Sequence, residues 1–192
     1  MEFDNSFDVP LPPAKAWALL VDIPRIAPCM PGAELTEIVD PRNFKGKISV
    51  RLGPVALTFG GRVAFDIVDD AGRTARIKAQ GSDAKGRGGA NATGTFRIEP
   101  AASGSRVLIH TDLKLSGAVA QYGRGVGMIQ ATAAQLVGQF ADNLHRQLRE
   151  EQSTSSHDTS PARSAAKPIS GLALLFGVIW SKFAGLFSGR RH

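Results

Sequence analysis

The chain has 192 residues, 43% of them apolar and 21% charged, with 23 Lys and Arg against 17 Asp and Glu for a formal charge of +6. That balance suits one folded domain with a real core and some spare chain, and it argues against a disordered protein. The single cysteine, Cys29, excludes an internal disulfide framework and any cysteine-cluster zinc or iron–sulfur site, and it points to a reducing compartment.

The acidic start, Met1-Glu2-Phe3-Asp4, lacks the apolar run of a secretory signal. Glu2 to Val9 predicts a first strand, with Phe3, Phe7 and Val9 on one face and Asn5 as the polar exception. Pro10, Pro12 and Pro13 end it, and Pro13 suits the first turn of a helix over Ala14 to Val21 that turns Trp17, Leu20 and Val21 to one side. Asp22 is placed to cap a second, very short helix, closed by Pro28 and Pro31.

From Ala33 the pattern has period two. Ala33, Leu35, Glu37 and Val39 predict one face of a strand. Phe44 to Leu52 forms another, and Val55, Leu57, Phe59, Gly61, Val63, Phe65 and Ile67 share a face in the next. Arg73 to Gly81 turns Ala75, Ile77 and Ala79 one way. Asn91 to Ile98 follows, and then Arg106 to Leu115, with Val107, Ile109, Leu113 and Leu115 on one face and Thr111 as the exception. Short turns between six or seven strands imply antiparallel neighbours, and one apolar face per strand implies a sheet covered on one side. From Val119 the spacing becomes helical for about 30 residues, through Tyr122, Val126, Ile129, Ala133, Leu136, Phe140, Leu144 and Leu148. At about 1.5 Å per residue such a helix is long enough to lie across the concave face of the sheet.

Residues 153–168 hold five Ser, two Thr and two Pro, with alanine as their only apolar type, and read as a disordered linker reaching about 22 Å. Residues 169–192 carry an apolar run, Ile169 to Phe187, flanked by Lys167, Arg190 and Arg191. Leu172, Phe176, Ile179, Phe183 and Leu186 make one helical stripe with Trp180 and Phe187 beside it. An in-plane amphipathic anchor, a short spanning helix of about 28 Å and a helix docked on a partner all fit this tail. Residues 1–152 carry 18 basic and 16 acidic side chains, and the remaining 40 carry five and one. The excess charge thus belongs largely to the tail, where it would meet anionic headgroups. No basic patch with interleaved aromatics appears, so nucleic acid is not an expected partner.

Several segments together resemble a known family. They are Phe7-Asp8-Val9-Pro10 with Ala16-Trp17, the proline-framed Ile26-Ala27-Pro28-Cys29-Met30-Pro31-Gly32-Ala33, Asn91-Ala92-Thr93-Gly94, and Gly117-Ala118-Val119-Ala120-Gln121-Tyr122-Gly123. With the order of elements, they resemble the START-like (SRPBCC) helix-grip fold, and within it the CoxG-like family of carbon monoxide dehydrogenase subunits, over about residues 1–150. The resemblance implies an α+β fold with a sheet of six to seven strands wrapped around a long C-terminal helix and an apolar tunnel between them. It also implies a non-catalytic accessory protein of a molybdenum hydroxylase of the carbon monoxide dehydrogenase type. Such a protein would sit on the cytoplasmic face of the cell membrane, peripheral or tail-anchored, and carry an apolar small molecule such as menaquinone or ubiquinone, with no tightly bound cofactor. A START-fold enzyme of cyclase or hydrolase type, a general lipid-binding protein and a pure adaptor with a filled core are the alternatives.

The residues expected to line the tunnel are Phe44, Ile48, Val50, Phe59, Val63, Phe65, Ile77, Phe96, Ile109 and Leu113 from the sheet. From the helix they are Tyr122, Val126, Met128, Ile129, Ala133, Leu136 and Phe140. Pattern alone leaves a cavity and a filled core equally open, because large residues alternate with small ones such as Ala75, Ala79, Ala92 and Gly94. Tyr122 reads either as a hydrogen-bond donor to a ligand carbonyl or as a core residue with a wet tip. His110, His145, His157 and His192 lack metal-ligand spacing. Gly86-Arg87-Gly88-Gly89 and Gly123-Arg124-Gly125 lack the context of a phosphate loop. No pair of carboxylates within the apolar faces offers acid–base catalysis; of Glu37, Asp66 and Asp112, alternation turns only Glu37 inward.

Overall fold

The computed structural model describes residues 1–124 and 126–157, the side chains at 122–126 and 154–157 excepted. β1 (Glu2–Val9) leads into α1 (Pro13–Leu20), α2 (Ile23–Ile26) and a 3-10 turn at Ala27–Cys29. Then come β2 (Ala33–Asp40), β3 (Asn43–Leu52), β4 (Val55–Asp69), β5 (Thr74–Asp83), β6 (Gly88–Ala101) and β7 (Gly104–Gly117). A 3-10 segment, Ala118–Arg124, precedes α3 (Val126–His157). The seven strands form one antiparallel sheet in the order β1-β7-β6-β5-β4-β3-β2. This is the expected helix-grip arrangement: a meander from β2 to β7, closed by the first strand beside the last.

Local chemistry explains the boundaries. Pro13 opens α1, where its missing N–H costs nothing, and the Asp22 carboxylate caps α2 by accepting from the Arg25 amide at 3.2 Å. Asp40 Oδ1 accepts from the amides of Arg42 and Asn43 at 2.8 and 2.9 Å and so shapes the β2–β3 turn.

Two apolar clusters hold the helix to the sheet. The larger joins Trp17, Leu19 and Leu20 of α1, Cys29, inward residues Phe44, Phe65, Phe96 and Val107, and Phe140, Leu144 and Leu148 of α3. Phe7 meets Phe140 edge-on at 5.5 Å, and Trp17 lies 5.7 Å from Phe96 while donating to Asp70 Oδ1 at 2.7 Å. The smaller joins Leu52, Leu57 and Phe59 to Val119 and Ile129.

Five boundary and register details differ from the sequence expectation. The final helix starts at Val126, because Ala118–Arg124 is wound as 3-10 helix, and it runs on to His157, so Ser153–His157 of the expected linker are helical. β6 begins at Gly88, which places Gly88 and Gly89 of the glycine-rich stretch in the sheet. In β2 a bulge after Leu35 puts Glu37 opposite Lys45 and Ile38 opposite Phe44, so Glu37 faces outward, its carboxylate 2.9 Å from Lys45 Nζ. A second bulge puts Ile67 opposite Arg76 and Val68 opposite Ala75; Ile67 is therefore 44% exposed, and Val68 packs on the core instead.

Leu144 is fully buried at the centre of the larger cluster. Leu144→Ala is expected to cost about 2–5 kcal/mol, read as a lower urea midpoint with an unchanged slope.

Candidate functional site: an apolar space between sheet and helix

The two clusters lie toward opposite ends of α3, and the middle of the inner face is different. Pairing aligns small inward residues in adjacent rows: Ala79 opposite Ala92 and Val63, Gly81 opposite Ala90 and Gly61, and Gly94 between Ile77 and Thr111. These positions are on central strands, yet Val63, Ile77, Ala79, Ala92 and Gly94 are only half-buried, as are Ala133 and Leu136 of α3. A Cβ built on Gly94 would meet nothing within 4 Å. A close-packed interior leaves no such room, so a space lies here between sheet and helix. Gly61 has another role: a side chain there would collide with the backbone of Gln80 and Gly81, so glycine permits the close approach of β4 to β5.

The expected lining residues divide by position. Phe44, Phe65, Phe96 and Phe140 belong to the larger cluster, with Ile77 and Ile109 packed against it. Phe59 and Ile129 belong to the smaller, with Ile48, Val50 and Leu113 against it. These groups wall the two ends of the space, while Val63, Ala133 and Leu136 lie in neither cluster. Met128 departs from expectation. It is 48% exposed, with its thioether beside Gly53 in the β3–β4 turn rather than on the inner face. The side chains of Tyr122 and Val126 lie outside the described residues, as does the tail with Leu172, Phe176, Ile179, Trp180, Phe183, Leu186, Phe187, Arg190 and Arg191. Among the described residues no helix is long and apolar enough to cross a membrane.

Sequence reasoning missed one inward charge. Asp83 ends β5 in the inward phase, opposite Phe59, and its carboxylate is fully buried. Arg87 donates to it from Nε at 2.7 Å and Nη2 at 2.8 Å, and the amides of Lys85 and Arg87 donate as well. The guanidinium beside it holds the Asp83 carboxyl well below the usual carboxylate range, against the opposing effect of burial. Arg87 also donates to the Ala56 carbonyl, and its own carbonyl accepts from the Val119 amide. The pair therefore ties the β5–β6 loop to β4 and to the segment leading into α3; its carboxylate is spent on structure.

Cys29 is buried, and its thiol donates to Gln147 Oε1 at 3.0 Å, while its carbonyl accepts from Asn143 Nδ2 at 2.8 Å. Burial pushes the thiol above its ordinary value, which suits an inert structural cysteine.

The sequence profile of the CoxG subunit of carbon monoxide dehydrogenase matches residues 6–149. The chain belongs to the CoxG family. This family is named for an accessory rather than a catalytic subunit, and the match spans the sheet, both small helices and most of α3. No functionally curated protein matches the chain. Solved structures share the fold at low identity. A conserved protein from Geobacillus kaustophilus is 16% identical, with a TM-score of 0.67 over 78% of this chain and 96% of that one. A protein from Thermus thermophilus is 16% identical, with a TM-score of 0.54 over 75% and 97%. An aromatase/cyclase from a Streptomyces species is 14% identical, with a TM-score of 0.54 over 86% and 99%.

Because the folded Asp83 carboxyl titrates below its unfolded value, its stabilisation is complete above about pH 4 and is lost as pH falls below that. Thermal melts of wild type and Asp83→Asn are expected to differ most near pH 6, with the variant lower, and the gap is expected to narrow below about pH 4 without closing by about pH 3.

Proposed function

We propose that this protein is a non-catalytic, membrane-tethered accessory of a molybdenum hydroxylase of the carbon monoxide dehydrogenase type. In this reading it carries an apolar small molecule, a respiratory quinone such as menaquinone or ubiquinone, between that enzyme and the cytoplasmic face of the membrane. The observation that carries the reading is the half-buried band at the middle of the inner face, with open space over Gly94 and apolar clusters toward both ends. An apolar space walled by aromatic and aliphatic side chains favours an apolar guest, since burying one removes its surface from water at about 25 cal/mol per Å². Family membership supports the enzyme partner. The tail supports the membrane: its apolar run, a single Asp and five cations fit an anionic lipid surface.

Native mass spectrometry of the full chain extracted from membranes should show a co-purifying or loadable quinone; failure of any apolar molecule to load would remove the carrier function. Gly94→Phe places a ring in the open space without backbone strain and is expected to abolish loading while leaving the melting temperature within a few degrees. A chain ending at His157 should no longer sediment with anionic vesicles or bring the hydroxylase to them. Persistent sedimentation would show that the folded domain, not the tail, binds the membrane.

A further inference from the structure

Two polar side chains on the inner face have no hydrogen-bond partner among the described residues. Asn5 on β1 and Thr111 on β7 interrupt apolar alternations, and the β1–β7 register runs unbroken through both, Asn5 opposite Ile109 and Thr111 opposite Phe3. No bulge turns them outward: Phe7, two residues beyond Asn5, packs on Phe140 of α3. Both are half-buried, and neither side chain has a hydrogen-bond partner among the described residues. A leucine or valine in either place would bury better; the polar ends are open to water, and a guest displacing that water would have to bond to them or leave them unpaired at a cost. The two are diagonal neighbours across an antiparallel pair, about 7–8 Å apart. Thr111 is also paired with Gly94, where the space opens.

From this geometry we infer that Asn5 and Thr111 are the polar recognition pair of the site. The ligand they select is an apolar molecule ending in a neutral carbonyl or hydroxyl oxygen, held with that end against β1 and β7. This rests on the carrier reading above and adds to it the residues that hold the head group and the orientation they impose. Asn supplies two N–H donors and an acceptor, and Thr a hydroxyl that does either, so together they satisfy a carbonyl or a hydroxyl equally. A carboxylate head is disfavoured. The only charged inward side chain of the described sheet is Asp83, itself an anion held by Arg87, so a fatty acid would be desolvated with no cation of the described sheet free to meet it.

The test displaces a fluorescent apolar dye from the full-length protein with three probes sharing a ten-carbon tail: decylubiquinone, decylbenzene and decanoate. Wild type should bind decylubiquinone tightest. Asn5→Leu with Thr111→Val, which keep shape and remove the polar atoms, should weaken decylubiquinone by about 10–100-fold and leave decylbenzene unchanged or tighter. Thr111→Ser should retain most of the quinone affinity. A double variant that binds decylubiquinone like wild type overturns the pairing while leaving the carrier intact. A double variant that loses both neutral probes assigns the pair to cavity shape instead and also overturns it. Preference of wild type for decanoate overturns the head-group class. Displacement by none of the three defeats the carrier reading itself, and this inference with it.

Discussion

The structure depends on how the far end of α3 is held. Phe140, Leu144 and Leu148 are locked into a cluster with α1 and the sheet, and the turn at Cys29 is stitched to the same helix by Asn143 and Gln147. His145 donates to the Asp8 carbonyl at 2.8 Å, and Arg25 meets Glu151 at 2.6 Å. Toward its start the helix contributes Ile129 to the second cluster, and between the two it presents Ala133 and Leu136 to a sheet of glycines and alanines. Helix height over the sheet is thus set by large side chains at the ends, and the small residues between cannot close the distance. The proline-framed segment matters for the same reason: it presents the Cys29 carbonyl and thiol at the place where α3 must be caught.

Strand identity was legible because alternation persists in β3, β5, β6 and β7 and turn residues punctuate them. The bulges were not. Ile67-Val68 and Glu37-Ile38 keep a plausible pattern whichever member faces in, and one extra residue in a ladder leaves no trace in composition. Asp83 escaped notice because a charged residue just past an apolar strand resembles a loop, and only the fold brings Arg87 back across it. Met128 lies near the helix start, where the mouth of the tunnel is expected, but the helix starts at Val126, and that first turn leans over Gly53 rather than the inner face. Asn5 and Thr111 were visible as exceptions from the start. What pattern could not decide was cavity against filled core, since that depends on a separation fixed by contacts distant in sequence.

The two faces of the sheet do different work. The outer face carries ion pairs such as Asp66 with Arg76 and Lys78, and Asp8 with Arg106, all solvent-exposed and each worth little individually. They keep a large antiparallel surface charged and soluble. Among the described residues the inner face concentrates its only buried ion pair at the rim, where it ties a loop, and leaves the centre neutral. A carrier of neutral apolar molecules needs that division, because a charge at the centre would tax every entry and exit of its guest.

The pairing of the first strand with the last also has a consequence for synthesis. Met1 and Leu113 bond to each other across 112 residues of chain, and β1 has no other neighbour in the sheet. Because β1 precedes the meander in the chain, it waits, with Phe3 and Phe7 uncovered, until β7 has been made. The meander from β2 to β7 forms by local hairpins, whereas closure by β1 carries the full loop entropy. During synthesis the sheet is therefore most vulnerable to aggregation at β1, and the strand bearing Asn5 is the last piece of the sheet to be set in place.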